Sequence, residues 1–423
     1  MSEGAIRHIG IVGLGYVGLP LAVAFAKKYH VTGFDNNREK IKAFRQFRDM
    51  SGIVDGDLLK NADIHYTWDE EDLETPDFII VAVPTPIDAD HLPDLGPLRE
   101  ASKTVALHIR PGSVIVYEST VYPGATEEFC IPILEQYSHL VCGRDFKVGY
   151  SPERVNLGDP AHGIEQVVKL VSAIDLETLE LIAEVYGAVI GAGVHKVSSI
   201  KIAEAAKIME NTQRDINIAF MNEMSMFLSK MGLDSEEVRR AAGTKWNFLR
   251  FAPGLVGGHC IAVDPYYLIE KGERIGCDMP LAKAARSIND NMPAHIAGRI
   301  LTHLREMGLE PCEAAIAVLG ITYKENISDL RNSKALELVE SLLDRGIRVT
   351  VSDPWAAWEN LVDTGEIHDA DMLVFAVAHR EYAALTAEDL KKMLKKDRDI
   401  VFDLQNMFSD QALRKAGLRK LGL

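Results

Sequence analysis

The sequence predicts an α/β protein built from two Rossmann-like, doubly wound domains joined by a long central helix and a helical middle domain. Three observations carry that reading. A strand, a glycine turn, a helix and a second strand ending in an acid open the chain. A run without proline or glycine, SIKIAEAAKIMENTQRDINIAFMNEMSMFLSKM, spans 199–231. After Pro311 short apolar runs again alternate with helical stretches. Such alternation is what a parallel sheet with helices on both faces requires.

Taken in order, Arg7–Val12 reads as a strand, Leu19–Tyr29 as a helix and VTGFD, ending at Asp35, as the strand completing a βαβ unit. FIIVAVP (78–84) and SVIVYES (113–119) are further strands that end in proline or polar residues, with the helical LREASKTVALHI between them. At 1.5 Å per residue the central helix is about 45–50 Å long, which suits a spine between domains and a dimer interface. Its methionines and alanines read as packing. In the last third, AAIAVLGITYK, IRVTVSDP, DMLVFAVAH and DIVFDLQN read as strands, and SKALELVESLLDRG as a helix closed by glycine. The expected domains are 1–198, 199–310 and 311–423.

The length of 423 residues exceeds what one core normally serves, and 47% hydrophobic residues supply material for several. A net charge of -16 argues against nonspecific nucleic-acid binding, so an anionic ligand needs a local basic pocket. Five scattered cysteines without a CxxC pair fit a reducing cytoplasm. Glycines and a proline interrupt the apolar start, against a signal peptide. No run approaches the roughly 18 apolar residues of a membrane span.

GLGYVG at 13–18 fits GxGxxG between a strand and a helix. Gly13 permits the tight turn, Gly15 lets a pyrophosphate approach the backbone, and Gly18 lets helix and strand pack closely. Asp35 is placed to accept ribose hydroxyls, which favours NAD over NADP; Arg38, three residues on, weakens that preference.

Cys260, in APGLVGGHCIAVDPYY, follows Gly257 and Gly258, which free the backbone for close approach to a ligand, and precedes Asp264 before a proline turn. A thiolate there is a strong nucleophile; the other four cysteines read as packing. The adjacent His259 reads as structural. The spacing of His259, Cys260 and Asp264 is wrong for zinc and offers no fourth ligand, so no metal is expected. On the central helix Lys207, Asn211 and Arg214 stand at i, i+4 and i+7 and share one face. Two readings stand for it: a solvated polar face, or a Lys–Asn pair presenting donors to a developing oxyanion.

From end to end the chain resembles the UDP-glucose/GDP-mannose dehydrogenase family, through GLGYVGLPLA, VPTP (83–86), YESTVYPGAT (117–126), YSPERVN (150–156), EAAKIMENTQRDINIAFMNE (204–223), GGHCIAVDPYYL (257–268) and GITYKENISDLRNS (320–333). LPDLGPL (92–98) and GTKWNFL (243–249) are similar to the branch that oxidises UDP-N-acetylhexosamines in bacterial surface-polysaccharide synthesis. The resemblance implies oxidation of a sugar C6 alcohol to a carboxylate with two NAD in succession. Cys260 carries the thiohemiacetal and thioester, Lys207 and Asn211 stabilise oxyanions, and Asp264, Glu153 and Thr120 handle water and protons. Cofactor contacts are implied for Tyr16, Val17, Asp35, Thr85, Thr120 and, from the C-terminal domain, Arg331. Arg154, Val155, Arg214, Gly257, Tyr323 and Lys324 are implied to hold the UDP-sugar, as are Lys207 and Asn211. For Arg331 a local salt bridge with Asp329 is the competing reading. The chain departs from the family pattern at Gln405, where relatives often carry a basic residue, and at Leu157, where proline is expected; Arg250 only loosely matches an arginine that reaches a neighbouring subunit's sugar. A cytoplasmic homodimer is implied. UDP-N-acetylmannosamine or UDP-glucose oxidation, a two-electron β-hydroxyacid-type dehydrogenase and a non-catalytic NAD sensor are the competing functions.

Overall fold

The computed structural model describes residues 6–155 and 163–423; Asn156 and Leu157 lie outside them. The chain divides into two compact units, one of residues 1–210 and 266–278, the other of 211–265 and 279–423. The central helix, Ile200–Lys230, gives its first turns to one unit and the rest to the other. Among the described residues no helix is long and apolar enough to cross a membrane.

The first unit holds an eight-stranded sheet of β1 (His8–Val12), β2 (His30–Phe34), β3 (Ile64–Thr67), β4 (Phe78–Val81), β5 (Val114–Tyr117), β6 (Lys147–Tyr150), β7 (Lys169–Ala173) and β8 (Val194–Lys196). Its order is β3-β2-β1-β4-β5-β6-β7-β8, parallel except where β7 runs against β6. That reversal was not legible in the apolar runs, since burial on both faces looks the same in either direction. Ile9, Ile11, Phe78, Ile80, Val114 and Val116 point to one face and pack with Phe25, Ile182 and Tyr186. The order reverses between β1 and β4, so the loops leaving these strands diverge and open a crevice at their carboxyl ends, where this class of sheet binds ligands.

The second unit carries a parallel sheet, β10-β9-β11-β12-β13, of β9 (Ala315–Leu319), β10 (Arg348–Ser352), β11 (Met372–Phe375), β12 (Ile400–Asp403) and β13 (Arg419–Leu421). Ile316 and Val318 join one core with Leu338 and Leu342, while Ala317 and Leu319 join another with Phe375 and Leu390. This is the two-residue period of a strand covered on both faces. The FDLQN run is therefore not the last strand: three residues, RKL, too few to show a period, form β13 at the edge.

A buried polar network ties the middle of this unit together. Arg286, 2% exposed, donates to Asp215 (2.7 Å) and Asp290 (2.5 Å). Asn289 donates to the Asp215 carboxylate at 2.7 Å and accepts from Asn222 at 2.8 Å. Asn222 in turn clasps Gly254 twice, donating to its carbonyl (3.0 Å) and accepting from its N–H (2.8 Å). The segment that leads to Cys260 is thus pinned to the central helix.

Candidate active site

In the first unit the loops after β1, β4 and β5 lie side by side at the crevice. They carry, in turn, Gly13–Gly18, Thr85 and Thr120. Ala82 N–H donates to Val12 O (2.8 Å), Glu118 N–H to Val81 O (2.9 Å), and the Ser119 hydroxyl to Val83 O (2.6 Å). Each loop is therefore fastened to its neighbour. Gly13 has φ +95°, and a Cβ there would stand 2.7 Å from Ala82 O; a Cβ on Gly18 would stand 1.9 Å from Gly13 O. At Gly15 a Cβ would meet no protein atom within 4 Å. The fold demands the first and last glycines, whereas the middle one is explained by a ligand's approach. The helix that follows, Gly18–Phe25, begins at Val17, whose side chain caps nothing, so its first N–H groups face the turn.

Asp35, 7% exposed, accepts from Leu14 N–H (3.0 Å) and Asn37 N–H (2.8 Å), with Lys40 Nζ at 3.5 Å. A carboxylate has about four lone-pair sites, so capacity remains for ribose hydroxyls. Arg38 instead lies over the Trp68 ring, 5.8 Å from its centroid. These residues fit a dinucleotide.

Beside β5–β7 a carboxylate cluster forms that the sequence had not shown. Glu118 is fully enclosed and accepts from Lys169 Nζ and Tyr186 OH, both at 2.6 Å. Burial pushes its carboxyl up, against the pull of Lys169. Glu153 Oε1 accepts the N–H groups of Arg154 (2.7 Å) and Val155 (2.6 Å). Its Oε2 is buried 3.9 Å from Lys169 Nζ, with no hydrogen-bond partner among the described residues. Arg154 is held by Glu210 on the central helix, at 2.7 Å and 3.2 Å, and donates to Val168 O at 2.9 Å. On the same helix Glu204 accepts Gly124 N–H (2.5 Å) and Thr126 N–H (2.9 Å). Burial pushes its carboxyl up to about 7. Lys207, one turn on, is 7% exposed.

In the second unit Cys260 is exposed, and its carbonyl accepts Val263 N–H (3.1 Å) and Asp264 N–H (2.8 Å). The residues after Asp264 do not form the expected proline turn. Asp264 begins the helix Asp264–Arg274, with Pro265 in the first turn, where a missing N–H costs nothing. Asp264, 2% exposed, accepts from Asn211 Nδ2 at 2.5 Å; Arg214, further along that helix, is exposed. Cys130 and Cys142 are poorer nucleophiles, since burial pushes both thiols up, Cys142 to about 11.

The two glycines before the thiol have a reason other than ligand approach. A Cβ on Gly257 would stand 2.6 Å from Asn332 O, and one on Gly258 (φ +84°) 2.6 Å from the Tyr323 ring. Asn332 Nδ2 also donates to Gly258 O at 3.1 Å. Their backbone lies flush on the loop after β9. His259 lies edge-on to Tyr323 at 5.5 Å and 3.8 Å from Asp329. A cavity of about 190 Å³ beside this contact is lined by Gly257, Tyr323, Lys324, Lys334, Val377 and Gln405. Three residues expected to hold substrate thus meet at one place, Gly257, Tyr323 and Lys324, while Lys334 is paired with Asp290 at 3.0 Å and Glu337 at 2.8 Å. Gln405, the departure from a basic residue, donates to Ala376 O at 2.9 Å. Arg331 makes the local pair, bidentate on Asp329 at 2.6–3.0 Å. Arg250 donates to Gly243 O at 3.1 Å. No metal-binding group of His, Cys, Asp and Glu occurs among the described residues.

Three family models match the chain: the NAD-binding domain (residues 7–190), the central domain (201–291) and the UDP-binding domain (317–410) of UDP-glucose/GDP-mannose dehydrogenases. The chain belongs to this family of NAD-dependent nucleotide-sugar dehydrogenases. It is 51% identical to protein CapL of Staphylococcus aureus over 96% of this chain and 97% of that one. It is 44% identical to the UDP-N-acetyl-D-glucosamine 6-dehydrogenase of Pseudomonas aeruginosa over 95% and 97%. The solved UDP-D-ManNAc dehydrogenase of Pyrococcus horikoshii superposes with TM-score 0.89 at 32% identity, covering 98% and 99%.

Two expectations follow. Gly15→Ala leaves the thermal midpoint unchanged but weakens NAD binding at least about tenfold by fluorescence titration, whereas Gly18→Ala costs about 2–4 kcal/mol of stability in urea unfolding. Because Glu204 is raised in the folded state, its contribution to stability is full below its unfolded value near 4.5 and is lost as pH rises through about 7. Wild-type stability relative to Glu204→Gln should therefore fall by about 2 kcal/mol between pH 5 and pH 8.

Proposed function

We propose that the protein oxidises the C6 alcohol of UDP-N-acetylglucosamine or UDP-N-acetylgalactosamine to the uronic acid, removing four electrons through a covalent intermediate on Cys260, to supply a surface-polysaccharide precursor. The observation that carries the covalent reading is an exposed thiol four residues before a buried Asp264 that is bonded to Asn211 of the helix bearing Lys207. Among the relatives, those named UDP-N-acetyl-D-glucosamine 6-dehydrogenases are 42–44% identical, and those named UDP-N-acetyl-D-mannosamine dehydrogenases 29–32%, which favours the former substrate.

Bound NAD supplies a hydride acceptor, used once for the alcohol and once, after exchange, for the second oxidation. An aldehyde has no hydride to give until a nucleophile adds to it. The Cys260 thiolate forms the S–C6 bond while the carbonyl oxygen takes a proton, and loss of the C6 hydride to the cofactor and of that hydroxyl proton to a neighbouring base leaves a thioester. Water then adds at C6, the C–S bond breaks, the thiol is restored and the carboxylate leaves. Asn211 spends one N–H on Asp264 and has a second for the oxyanion, alongside Lys207. Glu153, with one oxygen anchored by two N–H groups and the other without a hydrogen-bond partner among the described residues, suits proton transfer from water; Asp264 and Thr120 assist. Tyr16, Val17, Asp35, Thr85, Thr120 and Arg331 hold the cofactor, and Arg154, Val155, Arg214, Gly257, Tyr323 and Lys324 the UDP-sugar.

The protein works as a homodimer. Phe220, Met224, Phe227 and Met231 recur at i, i+4, i+7 and i+11 along the central helix, and the two phenylalanines are each 54% exposed. A second copy covers this apolar stripe.

A panel of UDP-sugars incubated with NAD should give two NADH per acid formed, fastest with an N-acetylhexosamine; one NADH per product would defeat the reading. Cys260→Ala should form no acid, at least about a thousandfold below wild type. Sedimentation should give twice the chain mass for the wild type and the chain mass for the Phe220→Asp, Phe227→Asp double variant; a monomeric wild type overturns the dimer.

A further inference from the structure

The two sheets repeat one arrangement at corresponding places. Gly13 N–H donates to Phe34 O and Gly320 N–H to Ser352 O, each at 2.8 Å. The next amide then donates to the acid ending the second strand: Leu14 to Asp35 at 3.0 Å, Ile321 to Asp353 at 2.6 Å. The acids differ in what else they hold. Asp35 takes one further N–H and keeps lone pairs to spare. Asp353 also receives the N–H groups of Thr322 (3.1 Å), Trp355 (2.7 Å) and Ala356 (2.9 Å) and stands 3.1 Å from His379 Nε2. Its lone-pair sites are all taken. A carboxylate that faces a ribose in the first domain is closed to one in the second.

His379 is fully buried. Its Nδ1 lies 2.9 Å from Asn326 N–H, a group that can only donate, so Nδ1 accepts and the proton sits on Nε2. That proton faces Asp353 Oδ2 and Thr322 Oγ1, both at 3.1 Å, and the Thr322 hydroxyl donates to Lys324 O at 3.0 Å. The Trp355 ring stacks over the imidazole, 6.5 Å away and inclined by 21°. Every side-chain hydrogen bond of His379 thus falls on Asp353 or on the two sides of the loop that presents Tyr323 and Lys324 to the cavity. His379 itself does not line that cavity.

We infer that His379, seated on Asp353, is the positioning residue for the 320–326 loop, so that the second domain uses its strand-end acid as a brace for nucleotide binding instead of as a ligand to a ribose. The inference rests on the proposed role of Tyr323 and Lys324 in holding the UDP part of the substrate.

The test uses the full-length enzyme, with UDP titrated by calorimetry and the UDP-sugar followed by NADH formation. His379→Ala removes all three side-chain contacts, to Asn326, Asp353 and Thr322. His379→Asn keeps an acceptor near the Nδ1 position for Asn326, and His379→Gln a donor near the Nε2 position for Asp353. Expected are a rise of about tenfold in Kd for UDP and KM for the sugar nucleotide in His379→Ala, with kcat within about twofold and KM for NAD unchanged. His379→Asn and His379→Gln should each recover part of the loss. Unchanged UDP affinity in a folded His379→Ala, or a fall in kcat at constant KM, overturns the inference. Should the alanine variant not fold, wild-type affinity in both amide variants overturns it equally. A wild-type enzyme that takes up no UDP defeats instead the reading of the cavity on which the inference rests.

Discussion

Both sheets depend on one constraint: the chain leaving the first strand must turn at once, and a carboxylate at the end of the neighbouring strand holds the amide just past the turn. Asp35 does this for Leu14 and Asp353 for Ile321. Gly13 and Gly320, with φ +95° and +90°, make the turn possible. Once that corner is fixed, the following segments are launched from the carboxyl ends of the sheets, where this class of sheet binds ligands. A buried carboxylate left without such donors would be costly to keep charged, so the turn and the acid stabilise each other.

From this shared corner the two units diverge in chemistry. The first builds a glycine surface for a pyrophosphate and keeps its acid receptive. The second closes its acid and turns the same loop into a platform for a cavity with Lys324 and Lys334. The central helix carries Lys207 and Asn211 one turn apart, while Glu204 and Glu210 on the same helix secure the Gly124 turn and Arg154.

What was legible in the sequence follows from what is local. Strands, the GxGxxG turn and the shared face of Lys207 and Asn211 are set by spacing within a few residues, and these appear as expected. Pairings across large separations left no local trace: Lys169 with Glu118, Arg154 with Glu210, His379 with Asp353. Chain direction was equally hidden, as at the antiparallel β6–β7 pair. Glycine carried real information about close approach, yet could not say to what. Gly257 and Gly258 make room for Asn332 and Tyr323, not only for a ligand, and the DPYY stretch that looked like a turn is the first turn of a helix. Even the competing local reading of Arg331 holds in the structure, where it pairs with Asp329.

The flush contact of Gly258 on Tyr323 makes a gauge. Because Gly258 has no side chain to hold it off the Tyr323 ring, and Asn332 is bonded to its carbonyl, the thiol two residues on stands at a set span from the loop proposed to grip the nucleotide. On the proposed mechanism, a substrate held there offers Cys260 whichever atom lies at that span, so length is measured before stereochemistry. Sugars that differ only in the orientation of one hydroxyl pass this gauge alike, and must be told apart by hydrogen bonds elsewhere. A nucleotide one phosphate shorter or longer would bring the wrong carbon to the sulfur.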